Sequence, residues 1–192
     1  MGLHGDTLVH RVDADPIPAR KLVRGMAVRT LSGSTALVAC VVRTDVSMVP
    51  DGYRLVNCGS RCWVSEHLPV RRLRVERATR WMYAKDTGDV VPSPTCHHIY
   101  DVVLSNENTL CVGDDALFGV ATLGARVAEA SLPHWELYLG TARIIEDLQR
   151  HPSYKRDGLV DLRTDMFTRH NGFNVITGLR ANGGNPSTCC IT

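Results

Sequence analysis

Cysteine and histidine are the residues of this sequence whose types could bind a metal ion. Cys96, His97 and His98 are adjacent, and Cys58 and Cys62 are separated by three residues. Structural zinc sites usually pair their ligands in Cys-x-x-Cys spacings. The spacing of Cys58 and Cys62 is only loosely compatible with zinc, and the sequence has no Cys-x-x-Cys pair. A metal site is therefore the less favoured interpretation, and we expect no bound metal.

The last four residues could carry a lipid. Cys189-Cys190-Ile191-Thr192 fits the pattern of a C-terminal prenylation box. No polybasic run lies upstream of it, and four residues match such a pattern easily by chance. We therefore expect membrane attachment only if this tail is prenylated.

The composition of the chain indicates a folded globular domain and argues against a nucleic-acid-binding protein. The chain has 192 residues, 44% of them hydrophobic and 22% charged, which is typical of a folded globular domain. A formal net charge of +2 is too small to indicate a nucleic-acid-binding protein. The seven cysteines are an odd number, so a complete disulfide framework is not expected. With no signal peptide and no long apolar run, we expect a cytoplasmic location.

The elements that must position any functional side chain are predicted to be short strands. Valine-rich runs alternate with turns such as Val49-Pro50-Asp51-Gly52 through about residue 126, which predicts a mostly β architecture. After Pro133 the apolar residues recur at helical spacing, which predicts one helix over about 134–150, ended by Pro152. Two further short strands are predicted at 159–162 and 174–179. Residues 181–192 are rich in Gly, Asn and Ser and are predicted to form a flexible tail.

Several separated motifs follow one another in a fixed order. The chain opens with Gly2-Leu3-His4-Gly5-Asp6-Thr7, and the later motifs lie at residues 22–30, 63–70, 81–89, 100–104, 108–112 and 119–124. This order resembles the Hint domains of Hedgehog proteins and inteins, most closely the Vint branch found beside von Willebrand type A domains. The resemblance implies a horseshoe-shaped, mostly β core at 2–126 and a smaller α/β extension at 127–180.

The chemistry implied by this resemblance is an acyl shift at the start of the domain. A cysteine at the first position attacks the preceding peptide carbonyl and converts the amide into a thioester. No cofactor is implied, because the reaction takes place within the chain itself. The position of that cysteine matches Gly2, which has no nucleophile, so we interpret Gly2 as a replacement, either engineered or natural. With only Met1 before it, the chain as given is expected to be inert.

The other family positions match only in part. His67 matches the histidine of the Thr-x-x-His motif, which would protonate the leaving nitrogen. The threonine of that motif falls on Val64, whose side chain cannot donate a hydrogen bond, and Ser65 is expected to point to the other face of the strand. Asp101 matches an aspartate that assists proton transfer.

The end of the core lacks the family's terminal residues. The asparagine that cyclises in inteins has no counterpart in residues 121–125, and the place of a Vint histidine holds Ala125. His170-Asn171 lies further on and is the less favoured cleavage site. We therefore expect a monomeric autoprocessing domain whose partner is the upstream segment of its own precursor. The alternative is an interaction module that has kept the fold and lost the chemistry.

Overall fold

The computed structural model describes residues 1–73, 80–114, 118–127, 135, 138–170 and 175–180. Short strands joined by turns are the main regular elements, so the predicted mostly β fold is confirmed. In chain order the strands are β1 (Leu3–His4), β2 (Leu8–Val9), β3 (Ile17–Pro18), β4 (Ala27–Arg29), β5 (Thr35–Asp45), β6 (Tyr53–Gly59), β7 (Cys62–Ser65), β8 (Pro69–Arg72), β9 (Met82–Tyr83), β10 (Val90–Ser93), β11 (His98–Leu104), β12 (Thr109–Val112), β13 (Phe118–Ala121), β14 (Leu159–Arg163), β15 (Phe167–Arg169) and β16 (Ile176–Leu179). The helices are α1 (Ala142–Gln149) and α2 (Pro152–Arg156).

The first strand of the chain is an inner strand of the larger sheet. Within the described residues its strand order is β10-β6-β7-β1-β11-β5-β14, and β4 pairs with β5. The two-residue strand β1 lies inside this sheet, because Leu3 pairs with Val64 of β7 on one side and with Tyr100 of β11 on the other. Both pairings are antiparallel, so they fix the position of the residue before β1.

The second sheet has the order β3-β2-β12-β13-β8-β9. The chain passes from the first sheet to the second between β1 and β2, and β2 pairs with β12 through Val9 and Val112. A continuous hydrophobic core contacts both sheets and includes Leu3, Val9, Val64, Leu110 and Val120. Burial of these side chains is the main driving force that holds the two sheets together.

The segment after residue 127 packs into this core. Its strand β14 pairs in parallel with β5, from Leu159 beside Val41 to Arg163 beside Asp45. Leu148 of α1 and Val160 of β14 are fully buried in the core shared with both sheets. The extension therefore widens the larger sheet and completes its hydrophobic core.

Polar contacts also connect the extension to the core. Arg24 donates through Nη1 to the carbonyl of Lys155 at 2.9 Å and through Nε to the carbonyl of Ala39 at 2.9 Å. Arg43 and Asp161 form an ion pair with a distance of 2.6 Å between Nε and Oδ1.

The predicted helix over 134–150 is not continuous. Trp135 is helical, residues 138–141 form a turn and a bend, and α1 begins at Ala142, after the N-cap residue Thr141. A Cβ atom on Gly140 would lie 2.6 Å from Nε1 of Trp135 and 2.7 Å from the carbonyl oxygen of Ala125, so this turn has room only for glycine beside the buried indole. Pro152 occupies the first turn of the short helix α2, in addition to following α1.

Some predictions fall on residues that the structure does not describe. They concern Pro133, His134, Asn171, Asn174 and the tail that contains Cys189-Cys190-Ile191-Thr192. Across the described ranges, no helix is long and apolar enough to span a membrane.

Candidate functional site

Gly2 lies between the ends of two strands. Because β1 pairs with both β7 and β11, the antiparallel registers place Gly2 beside Ser65 on one side and Asp101 on the other. Gly2 is buried. The peptide bond between Met1 and Gly2 is therefore held by the sheet at a defined position.

The side chain of Ser65 contacts the backbone of Gly2 at two atoms. Its hydroxyl group donates to the Gly2 carbonyl oxygen at 2.7 Å, and the Gly2 amide nitrogen donates to the same hydroxyl oxygen. The Ser65 amide also donates to the Gly2 carbonyl at 2.8 Å. Ser65 thus places a polar oxygen directly on the nitrogen that an acyl shift at this bond would release.

The carboxyl group of Asp101 lies on the other side of Gly2. A Cβ atom built on Gly2 would be 2.8 Å from Oδ2 of Asp101 and 2.8 Å from the carbonyl oxygen of Tyr100. A side chain at position 2 would therefore point at the carboxyl group, and both the Asp101 side chain and the Tyr100 backbone would have to shift to make room for it.

Asp101 is poised to exchange a proton near neutral pH. Burial raises the pKa of its carboxyl group to about 6, and the positive charge of the chain's amino terminus opposes that rise. A carboxyl group with such a pKa can both donate and accept a proton at physiological pH.

Two further hydroxyl groups belong to this site. The hydroxyl of Tyr53 is hydrogen-bonded to Ser65, and burial raises the pKa of Tyr53, so it remains protonated. Thr122 is buried, and its hydroxyl has no hydrogen-bond partner among the described residues. Thr122 lines a small internal cavity together with Gly2 and Asp101.

His67 lies near the site, in the lining of a cavity that Met1 and Ser65 also line. Its Nε2 atom is 3.5 Å from Nζ of Lys85, and its Nδ1 atom is 3.6 Å from Oε1 of Glu66. Its ring also stacks edge-to-face on Tyr83, with the centroids 5.7 Å apart. His67 is 40% exposed at its side chain and lines the same cavity as Met1.

That cavity, of about 410 Å³, is the larger opening at the site. It is lined by residues of the core, including Tyr53, Ser65 and His67, and by residues of the extension, including Arg169 and Ile176. The extension therefore contributes side chains to the surroundings of the Met1–Gly2 bond.

Other residues selected from the sequence have structural roles. Val64 and Ala125 are buried in the main core, and the Ala125 carbonyl accepts a hydrogen bond from the indole of Trp135 at 2.8 Å. Cys58 and Cys62 are buried in the same core, and Cys96 lies in a second, smaller cluster. The described part of the chain contains no group of three His, Cys, Asp or Glu side chains that could hold a metal ion.

Sequence reasoning missed Ser65 and Thr122 as members of the site. The alternation of strand faces correctly separates Ser65 from Val64, but it is the Ser65 face that meets Gly2. The available signal for Ser65 was a small polar residue two positions before the motif histidine His67. For Thr122 the signal was a hydroxyl within the apolar run of residues 118–123.

Comparison with known families identifies the class of this domain. A family model described as Vint, a Hint-domain family, matches residues 2–178. Because this match covers most of the chain, the protein belongs to the Vint family of Hint domains, an intein-like class consistent with autoprocessing. The resemblance based on the ordered motifs is thereby confirmed.

Solved structures with similar folds are intein-related. A bacterial intein-like domain from Clostridium thermocellum has 10% identity and a TM-score of 0.49, with 64% of this chain and 99% of that chain covered. A DnaB intein from Synechocystis has 8% identity and a TM-score of 0.42, with 63% of this chain and 98% of that chain covered. A comparison with curated proteins finds no match.

Proposed function

We propose that this domain processes its own precursor by an acyl shift at the peptide bond before residue 2, when that residue is a cysteine. The observation that carries the proposal is the position of Gly2. Its amide nitrogen is hydrogen-bonded to Ser65, and its missing side chain would face Asp101. The leaving nitrogen and the attacking atom would thus each have a polar partner already in place.

The first step is attack on the Met1 carbonyl carbon. The thiol of a cysteine at position 2 gives its proton to the Asp101 carboxylate, and the sulfur forms a bond to the carbonyl carbon. The carbonyl π electrons move to the oxygen and give a tetrahedral oxyanion, which re-forms the carbonyl in the second step. Burial raises the pKa of this carboxyl group above its ordinary value, which makes it a better proton acceptor for this step than an exposed aspartate.

The second step breaks the bond between that carbon and the residue 2 nitrogen. The nitrogen takes up a proton and leaves as an amine, which gives a thioester between Met1 and the cysteine. We assign the delivery of this proton to His67, which shares the larger cavity with Met1, and the positioning of the nitrogen to Ser65. With glycine at position 2 no thioester can form, so the chain as it stands is inert.

A non-catalytic interaction module is the second candidate function. The crowding of a Cβ atom at position 2 by Asp101 and by the backbone of Tyr100 favours it, because a packed glycine suits a site without a nucleophile. Val64 also supplies no hydroxyl where the family has threonine.

A cleavage assay distinguishes the two candidate functions. A small reporter protein is fused before Met1, Gly2 is changed to Cys, and the fusion is incubated with a thiol. The proposal expects mass spectrometry to find cleavage between Met1 and residue 2, slowed about 100-fold or more by His67→Ala. The fusion that retains Gly2 is the matched control. A folded Gly2→Cys fusion that stays intact would favour the interaction module.

A further inference from the structure

Cys58 and Cys62 lie opposite each other in the hairpin formed by β6 and β7. Asn57 pairs with Trp63 and Gly59 pairs with Cys62, so the register shifts between Asn57 and Gly59. In such a β-bulge two consecutive residues of one strand oppose a single residue of the partner strand. Cys58 and Gly59 therefore both lie opposite Cys62, and both cysteine side chains are buried in the main core.

The two thiol groups have different acidities. A hydrogen bond with the Cys62 thiol lowers the pKa of Cys58, burial opposes this, and Thr87 and the charge of Arg72 lower the pKa further. The Cys58 Sγ atom lies 3.6 Å from Oγ1 of Thr87. The same hydrogen bond between the thiols raises the pKa of Cys62, and burial adds to the rise. Cys58 is thus the thiol that loses its proton more readily, and Cys62 is the thiol that keeps it.

Three other buried cysteines in the described part of the chain are in a less reactive state. Burial raises the pKa of Cys40 to about 12, and it also raises the pKa of Cys96 and of Cys111. Because the thiolate is the reactive form of cysteine, these three thiols are expected to be oxidised slowly. Cys58 also directly precedes the exposed turn at residues 59–61, so a small reagent has only a short distance to travel to its sulfur.

We propose that Cys58 and Cys62 are a redox-active dithiol, which hydrogen peroxide converts into a disulfide across the β6–β7 hairpin. The thiolate sulfur of Cys58 attacks one peroxide oxygen and the O–O bond breaks. The departing hydroxide takes up the proton that the Cys58 thiol released and becomes water, which leaves a sulfenic acid on Cys58.

The second step closes the disulfide. The sulfur of Cys62 attacks the sulfur of Cys58, the S–O bond breaks, and the departing hydroxide takes the Cys62 proton and becomes a second water molecule. Two thiols are thereby oxidised and one peroxide is reduced to two waters. The new bond joins β6 to β7, the strand that carries Ser65. Neither sulfur takes part in the acyl shift, so this inference does not depend on the proposed function.

Peptide mapping of the full chain tests the inference. Trypsin cuts after Arg54, Arg61 and Arg71, so it separates the two cysteines into peptides 55–61 and 62–71. The reduced, folded protein is treated with hydrogen peroxide, the remaining thiols are blocked with N-ethylmaleimide in denaturant, and the digest is analysed by mass spectrometry. The two peptides are expected to be joined, and dithiothreitol should separate them. Cys58 should lose its free thiol about 10-fold or more faster than Cys40.

Serine variants test the order of the two steps. In Cys62→Ser, dimedone, which reacts with sulfenic acids, should label Cys58, whereas Cys58→Ser should leave Cys62 unlabelled. Cys40→Ser is the matched control, because it removes another buried thiol of the same core, and it should still give the joined peptides.

Three results in the folded parent protein would overturn the inference. Both Cys58 and Cys62 could remain free for blocking after peroxide treatment, Cys58 could be joined to a cysteine other than Cys62, or Cys58 could be oxidised no faster than Cys40. Each result is read from the parent chain itself, so a serine variant that fails to fold does not affect the test.

Discussion

The Gly2 amide nitrogen donates a hydrogen bond to the hydroxyl oxygen of Ser65, which is 63 residues away in the sequence. The same hydroxyl donates to the Gly2 carbonyl oxygen, so both polar atoms of the residue 2 backbone are held by one side chain. This arrangement results from the antiparallel pairing of β1 with β7. It fixes the bond at which the proposed reaction would occur before any reaction begins.

The buried carboxyl group of Asp101 is expected to make stability depend on pH. Its pKa rises from 3.8 to about 6 on folding, so the folded state holds its proton more tightly than the unfolded state. Below about pH 3 the group is neutral in both states and costs nothing. From about pH 4 to pH 6 the unfolded chain releases this proton while the folded protein retains it, so stability should fall, by roughly 3 kcal/mol in all between about pH 3 and pH 7, and then level off.

Chemical denaturation at several pH values checks this expectation. Asp101→Asn removes the titrating group with little change of shape, so the difference in unfolding free energy between Asp101→Asn and the parent should grow as the pH rises. A difference that stays constant from pH 4 to pH 7 would show that Asp101 is not buried as a raised-pKa group.

Thr122 buries a hydroxyl group that has no partner among the described residues. Replacing it with valine keeps the branched shape and removes the cost of desolvating the hydroxyl, so Thr122→Val should stabilise the protein by about 1 kcal/mol. Thr7 is the matched control, because its buried hydroxyl donates to the Trp63 carbonyl at 2.5 Å and accepts from the Trp63 amide at 3.0 Å. Thr7→Val should therefore destabilise by about 1–3 kcal/mol. Urea unfolding curves that move in the same direction for both variants would contradict this account.

Adding a side chain at position 2 is expected to lower the stability of the fold. Its Cβ atom would lie 2.8 Å from Oδ2 of Asp101 and 2.8 Å from the carbonyl oxygen of Tyr100, so Gly2→Ala and Gly2→Cys should each destabilise by about 1–3 kcal/mol. Thermal unfolding of both variants measures this cost. A cysteine variant clearly more stable than the alanine variant would mean that the thiol group itself finds a favourable site.

The core at 2–126 is expected to need the extension in order to fold. Removing residues 127–192 would take away Leu148, Val160 and Leu162, which are buried in the shared core, and would expose the edge of β5. We expect the shortened chain to aggregate or to lack a cooperative unfolding transition in calorimetry. A soluble monomer with a sharp transition would show that the extension is dispensable.

Much of the β architecture could be predicted from the sequence. Strands such as β5 and β11 are long runs of β-branched residues bounded by turn residues, and these local signals are strong. The extent of α1 could not be predicted in this way, because the turn at Gly140 depends on the position of the buried Trp135 side chain. Helical periodicity alone contains no information about that contact.

The site was predictable only in outline. The motif order selects Gly2 and Asp101, and the structure places the carboxyl group of Asp101 beside Gly2; their proposed roles stay a prediction. Ser65 could not be chosen over Val64, because both faces of β7 are buried and only the pairing with β1 decides which face meets Gly2. Such a choice depends on contacts between distant parts of the chain.

The most direct test of the proposed site is the effect of Ser65 on the rate of thiol-dependent cleavage. The Gly2→Cys fusion is compared with the same fusion carrying Ser65→Ala, and Ser60→Ala serves as an exposed control in the turn of the same hairpin. The account predicts that Ser65→Ala slows cleavage before residue 2 by about 10-fold or more, while Ser60→Ala leaves the rate unchanged. Equal rates in all three folded proteins would show that the hydrogen bond between Gly2 and Ser65 has no part in the reaction.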